Sequence, residues 1–302
     1  MGRGPVKLDE QATMLANRLR KTFRRLHPRF ERHRIGAFRL YDRDIPEIRA
    51  VVDWYEGHVV LAEYAREQTS GLPWLETMAR AAAEALSVPQ DRVHLKTRRS
   101  GEKYPRLART GRRIEVRERD LRFLVNLDDY IDTGLFADHR ETRARVRAEA
   151  RGASFLNLFA YTGSFTCAAA AGAAKETTSV DASPAYLDWA ADNLTLNHLS
   201  GELVRSSVDE FLKGCGSRRW TLCVLDPPSS SDFGGNAFDV QRDHRSLIER
   251  TLAALAPGGV LWFATNHQRF RPALEGLRYT REDTVPEDYR NRDVHQAFRI
   301  TK

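Results

Sequence analysis

Residues 155–173 read FLNLFAYTGSFTCAAAAGA. The apolar run Phe155–Phe159 has the length and composition of a buried strand, and the alanine-rich run after Gly163 that of a helix. A strand that stops at a small, hydroxyl-bearing turn and opens a helix is a place where a ligand is held. The same alternation recurs on the C-terminal side. Strands are predicted at 176–182, 201–206, 220–226 and 258–265, with helices at 164–172, 184–197, 208–213 and 243–256. The runs GLRYTREDTV and DVHQAFRIT form a closing strand pair. Regular strand–helix alternation predicts an α/β class, a Rossmann-like parallel sheet with helices on both faces.

The N-terminal part reads differently. Residues 11–34 place Leu15, Leu19, Phe23 and Leu26 at helical spacing, and Pro28 predicts the helix end. Strand patterns follow at 37–42, 48–55 and 58–65, with Glu56-Gly57 as a hairpin turn. A helix at 72–88 precedes strands at 92–98, 112–118 and 121–127. The expected organisation is a basic helix or extension over 1–34, a small α+β domain over 35–127, and the α/β domain over 128–302.

Charge separates these parts. The 302 residues carry a formal +7, yet residues 1–126 hold 27 Lys/Arg against 17 Asp/Glu, while 127–302 hold 21 against 24. A basic excess confined to one half predicts a polyanionic partner there. Arg24 and Arg25 lie on the N-terminal helix. Residues 98–113, RRSGEKYPRLARTGRR, hold seven basic residues and an aromatic. Read as a long hairpin tip, this stretch predicts an RNA-contacting finger, with Arg98, Arg99, Lys103, Arg106 and Arg109 on phosphates and Tyr104 on a base.

Composition excludes several classes. No run of about 18 apolar residues is present, so no membrane-spanning helix is expected. The start, MGRGPVKLDEQAT, has no apolar core of a secretory signal and is no lipidation site, so a cytoplasmic protein is expected. Three cysteines (Cys167, Cys215, Cys223) without a C-x-x-C pair, and nine scattered histidines, predict neither a disulfide framework nor a bound metal.

In a doubly wound sheet, ligands lie beyond the carboxyl ends of the strands. After the first strand, Tyr161, Thr162, Gly163 and Ser164 surround a helix N-terminus, with Gly163 read as allowing the backbone to pass close to a ligand. After the second, Asp181 is placed to accept from a ribose diol. After the third, Asp209 can accept from an adenine amine. After the fourth, Asp226-Pro227-Pro228 makes a rigid turn able to wall a flat base pocket. A ribose, a purine and a small charged tail describe S-adenosylmethionine better than a dinucleotide, for which G-x-G-x-x-G is missing. Upstream, residues 128–143 (DDYIDTGLFADHRETR) read as a lid, with His139 as an acid/base candidate.

Taken in order, DYIDTGLFADHR, FLNLFAYTGS, TTSVDASPAYLDWAADNLTLN, LDPPS and FDVQRDH resemble the RlmI-like class I methyltransferases, and within them the RlmK half of the bifunctional 23S rRNA methyltransferase RlmK/L. The resemblance covers about residues 15–302. It implies a Rossmann-like methyltransferase domain behind a small EEHEE-type domain, and methyl transfer from S-adenosylmethionine to N7 of a guanine in 23S rRNA. It places Asp138, Asn157, Tyr161, Gly163 and Ser164 at the methionine end, Asp181 on the ribose, Asp209 on the adenine and Asp226-Pro227-Pro228 at the base. The THUMP domain and second, N2-guanine methyltransferase of that family are not found in these residues, so the expectation is a stand-alone N7 enzyme. Its substrate would be 23S rRNA or the assembling large subunit, with a separate N2 methyltransferase as a partner. Related enzymes make 5-methylcytosine with a cysteine just after the strand that here ends FATNHQRF, where Asn266 stands instead. N2 methylation usually sets an aromatic directly after the Asx-Pro-Pro turn, where Ser229 stands and Phe233 follows four residues on. A non-catalytic RNA-binding assembly factor is the remaining alternative.

Overall fold

The structure is a computed structural model that describes residues 7–98, 107–233 and 236–302. It divides into two compact units, residues 1–137 with 288–290, and residues 138–287 with 291–302.

The first unit opens with α1 (Leu8–Arg32), whose Leu15, Leu19, Leu26 and Phe30 are buried. Pro28 does not end it. The helix runs on to Arg32, because Leu26 and Phe30 are both buried and their packing outweighs the ~3 kcal/mol cost of an interior proline. Strands β1 (Ala37–Asp42), β2 (Ala50–Tyr55) and β3 (His58–Tyr64) form an antiparallel meander. The β2–β3 turn places Glu56 and Gly57 at positive φ, as a tight hairpin requires. Helix α2 (Trp74–Leu86) then carries the chain over to β4 (Val93–Arg98), which pairs with β3 in parallel. Trp74 Nε1 donates to Gln11 Oε1 at 2.7 Å, tying α2 to α1 over the shared core.

Strands β5 (Ile114–Glu118) and β6 (Leu121–Val125) form a two-stranded sheet, with a single antiparallel bridge from Glu118 to Ile35. The strands that flank residues 98–113, β4 and β5, are thus not paired as the hairpin expected from the sequence, and residues 99–106 between them lie outside the described residues. The strand–helix–strand order β3–α2–β4 had already assigned β4 a parallel partner. Its return limb is anchored: Asp129 accepts from the N–H and hydroxyl of Thr110 and the N–H of Gly111. Against the upward push of burial, these donors hold Asp129 at about 2.

The second unit contains α3 (Arg140–Glu149), β7 (Ser154–Leu158), α4 (Ser164–Ala171), β8 (Glu176–Asp181), α5 (Pro184–Leu196), β9 (Glu202–Arg205), α6 (Val208–Gly214) and β10 (Trp220–Leu225). A small hairpin, β11 (Ser230–Phe233) and β12 (Asn236–Asp239), leads into α7 (Val240–Ala253), β13 (Leu255–Thr265), β14 (Arg278–Glu282) and β15 (Gln296–Thr301). Helix α7 starts three residues before the expected 243, because the Asp239 side chain caps it by accepting from Arg242 N. The sheet order is β14-β15-β13-β10-β7-β8-β9, parallel from β13 to β9, with β14 and β15 antiparallel at one edge. Alternate residues enter two different cores. Leu156, Leu158, Cys223 and Leu225 pack with Leu247 and Ile248 of α7, whereas Phe155, Leu222 and Val224 pack with Val146 of α3 and Ala169 of α4. Both faces of the sheet are thus covered.

The chain leaves β7 toward β8 and β9, then returns to β10 and β13 on the other side. The order reverses between β7 and β10, whose last residues Leu158 and Leu225 are register partners. That is the crevice where doubly wound sheets bind ligands. The turn after β7 is tightly built. Phe159, Tyr161 and Gly163 all have positive φ. Ala160 N donates to Val180 O, and Asn193 Nδ2 to Thr162 O. A Cβ on Gly163 would lie 2.8 Å from the Cβ of Ala190 in α5. The glycine is required by its backbone and by helix packing, whether or not a ligand passes beside it. Gly163→Ala should cost about 2 kcal/mol or more in denaturant unfolding. The loss should be smaller in an Ala190→Gly background, which removes the clash but not the strained φ; an equal loss in both backgrounds would contradict the packing argument.

Candidate active site

Asp181 ends β8, and its carboxylate staples the β7–α4 turn in place. Oδ2 accepts from Tyr161 N and Oδ1 from Ser183 N, each at 2.9 Å. Burial pushes its pKa above the usual carboxylate range, against the opposing N–H bonds of Ser183, Tyr161 and Ala182. A carboxylate has about four acceptor positions, so room remains for donor hydroxyls. At the adjoining start of α4, the N–H groups of Ser164 and Phe165 have no acceptor among the described residues. Tyr161 stacks edge-on against Tyr186 of α5 at 4.6 Å. An acceptor for a diol next to unpaired helix N–H groups suits a ligand with a ribose and a carboxylate.

Asp226 follows β10, across the crevice. It lies 3.6 Å from His139 Nε2. Burial, reinforced by the charge of Asp138, pushes it up to about 7. Pro227 is buried and Pro228 half-buried, fixing the turn. Ser229 Oγ donates to Asn266 Oδ1 at 2.7 Å, joining this turn to the end of β13.

Asp138 and His139 belong to a turn at Ala137–His139 that leads into α3. The segment Asp138–Arg143 is not a lid: Asp138, His139, Arg140, Thr142 and Arg143 are all buried, with Arg143 5.8 Å above the Phe165 ring. Asp138 Oδ2 accepts from His295 Nδ1 at 3.2 Å. The His139 and His295 rings stack at 4.2 Å with a 20° interplanar angle. Thr284 Oγ1 lies 3.0 Å from His295 Nε2 and accepts from Thr142 Oγ1 at 2.9 Å. Burial, with neighbouring His295, lowers His139 to about 3, so it is neutral in physiological conditions.

The fold thus brings Asp138 and Asp226 together, and separately Tyr161, Gly163, Ser164 and Asp181. Two expected site residues lie elsewhere. Asn157 is buried at 1% exposure and donates to Thr166 Oγ1, which bonds Ser179, so it joins α4 to the sheet rather than lining a pocket. Asp209 is exposed on the first turn of α6 and pairs with Arg250 of α7. Local reading missed His295, Thr142 and Thr284. Of these, only His295 carried a signal, as a histidine in the closing strand pair.

In the first unit, Arg24 and Arg25 are exposed on α1 and Arg109 is exposed on the anchored limb. Arg98 is half-buried, 3.8 Å from Asp132. Arg99, Lys103, Tyr104 and Arg106, and the side chain of Phe233, lie outside the described residues. Neither buried cysteine offers a reactive thiolate, and Cys215 caps the C-terminus of α6, at the end of the sheet opposite the carboxyl ends of the strands. Burial pushes Cys167 up to about 12 and Cys223 well above its ordinary value, while Cys215 donates to Leu212 O. No helix among the described residues is long and apolar enough to cross a membrane.

A raised carboxyl pKa destabilises the fold where the unfolded group would ionise. The penalty is absent below about pH 4 and complete above about pH 7, approaching about 4 kcal/mol for a three-unit rise. Asp226→Asn should therefore raise the unfolding free energy at pH 8 and leave it unchanged near pH 4. Equal stability of the two proteins at both pH values would contradict the assigned burial of this charge.

Residues 37–288 match the sequence family of S-adenosylmethionine-dependent methyltransferases. The ribosomal RNA large subunit methyltransferase K/L of Pseudomonas aeruginosa is 43% identical, over 98% of this chain and 43% of its own length. That of Alcanivorax borkumensis is 41% identical over 97% of this chain and 44% of its own. The chain thus spans less than half the length of these relatives. A Streptococcus mutans structure described as a SAM-dependent methyltransferase superposes with a TM-score of 0.80 at 20% identity, covering all of this chain and 83% of that one. A second structure, described as a methyltransferase complexed with SAH, has the same score at 21% identity over 96% of this chain and 82% of its own. The chain belongs to the S-adenosylmethionine-dependent methyltransferase family.

Proposed function

We propose that this chain methylates large-subunit ribosomal RNA at N7 of a guanine. The observation that carries the reading is the Asp226-Pro-Pro turn at the sheet's order reversal, beside a neutral His139 and without a reactive thiolate at the crevice among the described residues. The names of the relatives supply the RNA class. When bound, S-adenosylmethionine supplies an electrophilic methyl group. Asp181 would hold its ribose, and the N-terminus of α4 its carboxylate, with Tyr161 and Ser164 alongside. Guanine N7 has an in-plane lone pair and no proton, so attack needs no general base. What the chain would provide is orientation: Asp226 and its proline turn would hold the base in line with the methyl group. A target in a paired segment must be opened to enter. A 5-methylcytosine reaction would need a thiolate at the crevice, where burial keeps Cys167 and Cys223 protonated and from which Cys215, at the C-cap of α6, is remote.

In this reading the first unit is the RNA-facing part, through Arg24, Arg25 and Arg109 and the basic stretch that contains Arg99, Lys103, Tyr104 and Arg106. The work is done in the cytoplasm, on free rRNA or an assembling particle, and any N2-guanine methylation falls to a separate enzyme.

Three measurements test this. Labelled methyl transfer to undermethylated 23S rRNA should give 7-methylguanosine; 5-methylcytidine or N2-methylguanosine would overturn the assignment, and cofactor binding without transfer to any rRNA would favour an assembly factor. Asp181→Ala should weaken S-adenosylmethionine about tenfold or more by calorimetry, since hydrogen bonds to a charged group are worth about 1.5–3 kcal/mol; unchanged affinity would remove the ribose assignment. Charge reversal of Arg24 and Arg25 should flatten the salt dependence of RNA binding by about 0.7–0.9 per lost phosphate contact, and an unchanged slope would take α1 out of the interface.

A further inference from the structure

The buried histidines carry information beyond their positions, because their hydrogen bonds run in one direction. Thr142 has a single proton, and it goes to Thr284 Oγ1. Thr142 can therefore only accept from His139 Nδ1, 3.4 Å away. His295 must carry its proton on Nδ1 to bond the Asp138 carboxylate, so its Nε2 accepts from the Thr284 hydroxyl. Every proton is assigned, and His139 is left with a bare Nε2. That lone pair faces Asp226 Oδ2 at 3.6 Å and Asp138 Oδ2 at 3.9 Å. Among the described residues, neither Nε2 of His139 nor Asp226 receives a hydrogen bond, and once Asp226 has lost its proton, above about pH 7, both groups are acceptors. The His139 ring is buried while the Asp226 side chain is 22% exposed, so acceptors that face one another here leave their hydrogen bonds to a donor entering from the open side of the crevice.

We propose that His139 Nε2 and the Asp226 carboxylate form an acceptor pair that takes an N–H donor of a bound ligand, either the amino edge of a purine base or the α-ammonium group at the methionine end of the cofactor. Thr142 and Thr284 are positioning residues that fix the tautomer. His139 thereby sets ligand specificity: a group with an acceptor at this point would meet lone pairs on both sides and be rejected. A metal ion on Asp138, His139 and His295 is the poorer occupant, although their ligand atoms lie within 4.8 Å of one another. Both nitrogens of His295 are engaged in the relay. The two rings are also nearly parallel, so their in-plane lone pairs do not converge. The inference rests on the methyltransferase family, not on which RNA atom is methylated.

Nitrogen-15 spectra of the histidine rings test it on the intact chain. His139 should show the Nδ1–H tautomer at neutral pH; a proton on Nε2 would overturn the proposal. Thr142→Val should erase that tautomer preference and Thr142→Ser should keep it. The His139 Nε2 signal should then move with SAH but not with 5′-methylthioadenosine, which lacks the ammonium group, if the cofactor is the donor. It should move with guanosine monophosphate but not inosine monophosphate, in the presence of 5′-methylthioadenosine, if the base amino group is. His139→Phe keeps the ring stacking and should weaken the responding ligand about tenfold. No shift with either ligand, or stoichiometric Zn²⁺ binding that His139→Phe abolishes, would overturn the acceptor pair. Failure of ribosomal RNA to be methylated leaves these readouts intact.

Discussion

Two parallel strands, β7 and β10, lie side by side and send the chain away in opposite directions. Right-handed crossovers on opposite sides of that pair cannot both cover its carboxyl end, so a crevice opens there. The remaining features of the second unit are arranged around it. The left-handed turn at Phe159, Tyr161 and Gly163 bends the chain back over β8, where Asp181 fastens it. On the other side, Asp226 leaves β10 into two prolines, and its turn is tied to β13 through Ser229 and Asn266.

The crevice is electrostatically costly. It gathers Asp138 and Asp226 beside two buried histidines, and it keeps His139 neutral and Asp226 hard to ionise. Groups so perturbed by burial and by one another are typical of sites that bind or react rather than of structural cores. Buried Arg143, resting on Phe165, adds a fixed positive charge that opposes protonation of His139 and partly offsets the negative charge of Asp226.

Much of this was legible in the sequence because it is local. Period and turn chemistry located the alternating strands and helices from β7 to β10, with α7, β13 and the closing strand pair, to within about three residues, and strand ends pointed to Gly163, Asp181 and Asp226; α3 and the β11–β12 hairpin went unpredicted. The misreadings have physical causes. Pro28 lost to the packing of Leu26 and Phe30. The basic stretch after β4 was taken for a hairpin because proximity in sequence suggested pairing, whereas a helical crossover had already given β4 its neighbour. Asp209 was near a strand end, but the helix that starts there turns it toward Arg250. His295 and Thr284 were out of reach for a different reason. They meet Asp138 and Thr142 across 157 and 142 residues of chain, and no spacing rule spans such a distance.

A crystal structure of the chain with SAH would test the assembled site most directly. The ribose diol should lie on the Asp181 carboxylate, the amino-acid carboxylate at the N-terminus of α4, and the sulfur should face the Asp226 turn. A nucleoside bound away from Asp181, or a sulfur pointing away from Asp226, would contradict the placement of the active site in the crevice between β7 and β10.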